Sequence, residues 1–523
     1  MRTDLNRLMV LVLAAIAVPA AADDILIVNG LVFEGSLRPP RVANIAIRDG
    51  RITSVDAGPD ATAERVIDAD GQWVLPGFID PHTHASLDLV ASAPARRRNL
   101  NYLAQGVTTV FVGNDGGGSE DVPGYLGKLE AAGVGTNVAA LAGHGAIRRR
   151  VMGLEVRAPT RAEQRAMETV LAEALDAGAF GLSLGLFYAP GSYAQTEEII
   201  ALARVVGDRA GVVDSHMRSE SSAGVGVLGA LQEMILIAET ADVAVHVSHI
   251  KALGGDVTGY GETMIQMIND ARARGLDITA NQYPWLASGT RLSNALLERW
   301  VQADSKDAMR ARLRNPALRQ RVFEEMAANL VVRNGADAFL ITKAGHRFAG
   351  QTLADAAARL ELPTLEAAVE IILDGDPSVA SFVMAREDVD AFAVQPWVMT
   401  GSDGSSGHPR KYGTYPKKFA DFVRDRRLLS PEEFVHRSAG LVAETIGLCE
   451  RGFLRTGYHA DVAVLDPDAF AAIASYEDAT ALSAGIHTVL VGGRVAYAAG
   501  EEETPGLRGQ VLRSTDCAAE PRP

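Results

Sequence analysis

Pro76-Gly77-Phe78-Ile79-Asp80-Pro81-His82-Thr83-His84 opens as a short apolar strand behind a Pro-Gly turn and closes on two histidines two residues apart. In extended chain, side chains at i and i+2 project to the same face, so the two imidazoles can address one point. Strands that deliver polar groups at their C-terminal ends are the units from which a parallel barrel builds a shared pocket.

Outward from this stretch (73–80), apolar strand-like runs recur at 107–114, 137–143, 179–185, 211–215, 243–248, 276–282 and 397–401. Helical periodicity alternates with them, as in 161–177, where Ala166, Met167, Val170, Leu171 and Ala174 form one stripe, and in 225–240. Eight such units predict an α/β fold, a (β/α)8 TIM barrel spanning 76–448. The gap between the seventh and eighth strands exceeds what a βα connection needs, so the charged helical stretch at about 286–345 is expected to be an insertion at the active-site end, and a candidate lid.

Short alternating segments flank the barrel at 24–28, 42–48, 51–55 and 64–68, and the same texture returns at 460–466 and 487–495. They predict a small β-sandwich domain built from both chain ends, 23–75 and 449–510, followed by a polar tail, 511–523. Ahead of it, Arg2 and Arg7 precede an apolar run of about 11 residues and the small-residue site Ala20-Ala21-Ala22. That run is too short to span a bilayer and reads as a secretory signal, 1–22, which places the mature chain in the periplasm or outside the cell with no stable membrane span. An oxidising compartment permits Cys449 and Cys517 to pair, but sequence gives no distance between them, and both are treated as structurally neutral. The 523 residues are 47% apolar and carry a net charge of −15 from 50 basic and 65 acidic side chains. An acidic chain without a basic tract has no electrostatic attraction for nucleic acid, so a small-molecule ligand is expected.

The expected strand ends carry the chemistry. The second ends at Asp115, the third at His144, the fifth at His216, the sixth at His249 and the eighth at Asp403; with His82 and His84, five of the 11 histidines fall at such ends. Each residue alone has a plain structural explanation. A His-x-His pair is often solvated or hydrogen-bonded in a core, Asp403 suits a helix N-cap, and Asp115 suits a turn ahead of Gly116 to Gly118. Together, at successive strand ends, they match a divalent cation with open coordination, zinc by default for a histidine-rich set. Gly181-Leu182-Ser183-Leu184-Gly185 has the spacing of a nucleophile elbow but lies within a barrel strand, and is read as backbone packing.

The 76–84 stretch resembles the amidohydrolase superfamily. Further blocks resemble its N-acyl-D-amino-acid deacylase (D-aminoacylase) branch: Gly143-His144-Gly145, Gly181 through Gly191, Ser215-His216-Met217-Arg218-Ser219-Glu220, Ser248-His249-Ile250-Lys251, Gln282-Tyr283-Pro284 and Gly401-Ser402-Asp403-Gly404. The resemblance implies a metal-dependent hydrolase of linear amides with one tight Zn2+ and a second site filled weakly. It assigns His216 and His249 to the tight metal, His82 and His84 to the other, and the general acid/base role to Asp403. Where the branch usually places a bridging cysteine, this chain has Asp115, a harder ligand that relaxes the preference for zinc over Mn2+ or Co2+. The free α-carboxylate of an N-acyl-amino acid needs partners, for which Lys251, Arg410, Tyr283 and Ser288 are candidates. Tyr188 is a candidate for substrate contact or for packing beside Pro190, His144 for a place at or behind the pocket, and Arg218 with Glu220 for a structural pair under His216. Competing readings are a dipeptidase cleaving before a D-residue, a cyclic amidase, which would need a lysine after the fourth strand where Gly185-Leu186-Phe187 stands, and an inactive binding scaffold. The sequence leaves the oligomeric state open.

Overall fold

Gly77 divides two strands that read as one in the sequence. In the computed structural model, which describes residues 23–500 and 506–517, Trp73–Pro76 joins a peripheral sheet while Phe78–Asp80 begins a barrel. A Cβ at Gly77 would lie 2.2 Å from Thr108 Cγ2, so this crossing requires the bare backbone. The expected leader, 1–22, lies outside the described residues.

The barrel strands follow in parallel register as Phe78–Asp80, Val107–Val112, Asn137–Ala140 with Ala142–Gly143, Gly181–Gly185, Val212–His216, Ala244–Val247, Ile278–Gln282 and Val398–Thr400. The third bends at Leu141, whose amide still bonds Val112 O at 2.9 Å. Last and first strands meet just beyond their ends, through a parallel bridge between Thr83 and Gly404 and the Asp403 amide donating to His82 O at 2.9 Å. Most of the strand positions are buried, as strands covered by helices on one side and filled by side chains on the other must be.

Strands from both chain ends form one eight-stranded sheet, so the expected sandwich is built as a single hydrogen-bonded sheet folded over its own core. Asp23–Val32 sits at its centre, pairing with Arg41–Arg48, Ala63–Asp68 and Trp73–Pro76, and Val462–Leu465 pairs antiparallel with Trp73–Pro76. Ile25, Ile27, Ile45, Ile47, Val74, Val462 and Leu490 fill the core.

Three sequence expectations need correction: the end of the insertion, the polar tail and the structurally neutral cysteines. The insertion does not stop near 345. Its sheet runs from Ala287–Arg291 to Ser378–Phe382, and the latter is the central strand, also pairing with Phe339–Ile341. The unit cannot close before that strand, and it has a core of its own around Leu296, Met326, Phe339, Phe348 and Ile371. Nor are the described residues 511–517 a polar tail. Gly509 and Val511 bridge to Val134 and Val138 at the start of the third barrel strand, Leu512 is buried, and Cys517 forms a disulfide with Cys449. The cysteines are therefore a clasp across the end of the barrel opposite Asp115 and His249. Among the described residues no helix is long and apolar enough to cross a membrane.

The disulfide closes a span of 68 residues, for which loop entropy gives about 4 kcal/mol. Reduction, or the Cys449→Ser/Cys517→Ser variant, is expected to lower the thermal midpoint in scanning calorimetry; an unchanged midpoint would contradict the clasp.

Candidate metal centre and substrate cavity

The backbone segments that carry much of the centre are fixed by bonds made one layer deeper in the barrel. Asp80, fully buried, accepts from the amides of His82 (3.2 Å) and Ser402 (3.0 Å), pinning the first and eighth strand ends together; burial pushes its carboxyl up to about 6. Asn114 accepts from Thr83 N and donates to Pro81 O and to Asp214, tying the second strand end to the first. Ser183 Oγ donates to Gly113 O and accepts from Gly116 N at 3.1 Å, which fixes the loop carrying Asp115. Ser183 is thereby a backbone clamp with its hydroxyl engaged in the core. A Cβ on Gly185 would fall 2.0 Å from Asp115 O, so glycine is what lets the fourth strand approach this loop. Asn281 accepts from His249 N at 2.8 Å.

Three residues of the centre, Asp115, His249 and Asp403, have positive φ (57°, 36° and 47°). Non-glycine residues are uncommon there, and such strain persists where surrounding bonds over-determine it and gathers at functional sites.

Two groups of ligand atoms result: His82, Asp115, His249 and Asp403 in one, His216, Glu220 and His249 in the other, with His249 shared. His82 Nε2 lies 3.4 Å from Asp115 Oδ1 and 3.8 Å from Asp403 Oδ1. His84, more exposed, reaches the same carboxylates at 3.4 and 3.0 Å. His249 Nε2 lies 3.3 Å from Asp115, and its Nδ1 3.1 Å from Glu220. His216 bonds Met217 O through Nδ1, leaving Nε2 toward Glu220, 3.9 Å away.

The electrostatics call for positive charge. Burial opposes ionisation of Asp115, yet the surrounding imidazoles hold its carboxyl well below the usual range; Arg410 and the histidines do the same for Asp403, and Lys251 with the histidines for Glu220. Burial also opposes protonation of His84, but Asp115 and Asp403 outweigh it and raise it to about 10. His249 is raised to about 9 by Glu220, Asp403 and Asp115 against burial and Lys251. His216 is lowered to about 4 by burial and stays a neutral imidazole. Both ring nitrogens of the fully buried His82 lack a hydrogen-bond partner among the described residues. Such an atom in a core is costly unless something satisfies it. Imidazole nitrogen and carboxylate oxygen, without thiolate, fit a divalent cation of the Zn2+, Co2+ or Mn2+ kind.

The centre opens into a cavity of about 690 Å3, lined also by Tyr188, Lys251, Ser288 and Arg333. Ser288 Oγ is buried there without a hydrogen-bond partner among the described residues, and Tyr188 packs edge-on to His216 with ring centroids 4.8 Å apart. Other expected substrate contacts are engaged within the protein. Lys251 Nζ lies 2.6 Å from both Glu220 and His249 Nδ1, so its charge supports the centre. Arg410 lies 2.7 Å from Asp403 Oδ2 and over the Tyr283 ring, and the Tyr283 hydroxyl donates to Met384 Sδ at 3.6 Å. His144 is outside the cavity, buried against Glu198 at 2.8 Å. The expected Arg218–Glu220 pair does not form: Arg218 binds Glu233 at 2.8 Å, which frees Glu220 for the centre. Sequence reasoning missed Glu220 as a ligand candidate, although its place four residues after His216 in a strand-end loop was the available signal.

A parallel barrel with a carboxylate and imidazole centre at its C-terminal mouth defines a class, the metal-dependent hydrolases. The chain belongs to the amidohydrolase family, whose model matches residues 65–497. It is 33% identical over 501 residues to the D-aminoacylase of Alcaligenes xylosoxydans xylosoxydans, covering 90% of this chain and 93% of that protein. The crystal structure of N-acyl-D-glutamate deacylase from Bordetella bronchiseptica, with zinc and a phosphonate mimic of the tetrahedral intermediate, superposes with a TM-score of 0.81 at 32% identity, covering 94% of this chain and all of that one. A D-aminoacylase crystal structure gives 0.79 at 30% identity over the same shares.

His249, common to both groups, is expected to be the ligand least tolerant of change. His249→Ala should reduce bound metal measured by mass spectrometry and abolish turnover, whereas Asp403→Asn should retain at least one metal and lower kcat by about 10²–10⁴. Full metal content in His249→Ala would remove His249 from the ligand set.

Proposed function

We propose that this chain hydrolyses the amide bond of N-acyl-D-amino acids, releasing a carboxylate and a D-amino acid, with Zn2+ as its resident metal, one ion bound tightly and a second weakly. The observation that carries the reading is Asp403, buried at the edge of the cavity within the ligand cluster and bound by His84 and Arg410. A divalent ion bound there polarises the scissile carbonyl and lowers the pKa of its water toward ~7. Asp403, fixed by Arg410 and His84, receives the proton from water and passes it to the departing nitrogen. Arg410 keeps that carboxylate in place from behind the cavity wall, and the unpartnered Ser288 hydroxyl in the wall is left for the substrate's α-carboxylate. Tyr188 and Phe187 cover His216 and restrict water around the reacting amide.

The D configuration is supported by the similarity to the D-aminoacylase and to the N-acyl-D-glutamate deacylase. A periplasmic or secreted location is supported by the apolar leader in the sequence and by the Cys449–Cys517 disulfide, a bond that persists in oxidising compartments.

The test is a panel of N-acetyl-D- and N-acetyl-L-amino acids and L-Ala-D-Ala with the zinc-loaded enzyme. Hydrolysis of the N-acetyl-D compounds is expected, with L compounds inert. Cleavage of L compounds alone would overturn the stereochemical assignment, and cleavage of the dipeptide alone would replace the deacylase reading with the dipeptidase.

A further inference from the structure

The cations around the cavity are engaged by the protein, with one exception. Lys251 is held by Glu220, Arg410 by Asp403, and Arg291 stands 3.9 Å from Asp376 with its side chain 56% exposed. Arg333, at the C-terminal end of the insertion helix Arg319–Val332, lines the cavity and is only 9% exposed. Among the described residues its guanidinium makes no hydrogen bond, ion pair or ring contact. The groups whose charge reaches it are Glu220 and Tyr188. A guanidinium stays charged under these conditions, and burying it without a counter-ion is costly, so the site is built for an anion.

The deacylase reading assigns the α-carboxylate, which stays with the departing nitrogen, to the unpartnered Ser288 hydroxyl of the cavity wall, which leaves Arg333 for a second anion. Arg333 enters from the insertion on the Glu220 and Tyr188 flank. The insertion's other contributions to the wall include Thr290, Asn294, Thr342 and Ser378, all hydrogen-bonding side chains, together with Val379, and the loops after the first two barrel strands add Leu87 and Val90 among polar residues. The cavity thus offers apolar groups for an acyl chain and, on the insertion, a buried cation among hydrogen-bonding side chains for a charged side chain.

We propose that Arg333 is the specificity residue for an anionic side chain, so that the preferred substrates are N-acyl derivatives of acidic amino acids. The proposal rests on the deacylase reading and narrows it.

The experiment compares kcat/KM for N-acetyl-D-Glu, the isosteric N-acetyl-D-Gln and N-acetyl-D-Met in wild type, Arg333→Gln and Arg333→Lys, with thermal midpoints recorded for each. Wild type is expected to favour Glu over Gln by about ten-fold or more, the difference lying mainly in KM. Arg333→Gln should bring the ratio to near one, and Arg333→Lys should keep part of it. A wild-type ratio of one or less overturns the proposal. So does an Arg333→Gln variant that lowers both substrates in proportion, the behaviour of an α-carboxylate ligand or a packing residue. Turnover of neutral D-substrates without preference for Glu sinks this inference alone, whereas no turnover of any N-acetyl-D-amino acid sinks it together with the deacylase reading.

Discussion

Asp115, Asp403 and Glu220 are carboxylates largely withdrawn from solvent around the shared His249, each held below the usual carboxylate range by the cations and imidazoles beside it, and the rest of the site depends on that constraint. Desolvated carboxylates repel one another and lose hydration unless positive charge is supplied. The surrounding imidazoles show the demand: His84 and His249 are pushed toward protonation, while neither ring nitrogen of His82 has a hydrogen-bond partner among the described residues. A divalent cation answers both needs. The strained backbone at Asp115, His249 and Asp403 shows that the fold spends stability to hold this arrangement.

The same residues also close the barrel. The Asp403 amide bonds the His82 carbonyl, and Asp80 bonds the amides of His82 and Ser402, so the seam between first and last strands is formed by the residues that flank the ligands. Closure and catalytic geometry are therefore one structural event. The opposite end of the barrel is secured separately, by the disulfide and by the C-terminal segment lying along the third strand. The insertion, with its own core, adds Ser288, Thr290, Asn294, Arg333 and Thr342 to the polar wall of the cavity.

Much of this is legible in the sequence because strand ends in a parallel barrel must converge. The eight apolar runs each mark a barrel strand, and His82, His84, Asp115, His216, His249 and Asp403 are brought within reach of one another. What escaped was set by side-chain direction and by distant pairing, which spacing does not encode. Glu220 could not be distinguished from a partner of Arg218 until Glu233, on the following helix, was seen to take that role. Lys251 and Arg410 look like free cations in sequence, yet each is held by a carboxylate from another segment. The insertion was cut short because its central strand lies far along the chain from its first strand. Val511 and Leu512 were hidden by the polar residues around them.

The central claim is that the buried carboxylates and imidazoles grip a common metal. Anomalous diffraction at the zinc absorption edge, from crystals of the zinc-loaded protein, tests it most directly. The account predicts the strongest anomalous peak among His82, Asp115, His216, Glu220, His249 and Asp403; a cluster with no peak, its side chains hydrogen-bonded only to one another and to water, would contradict it.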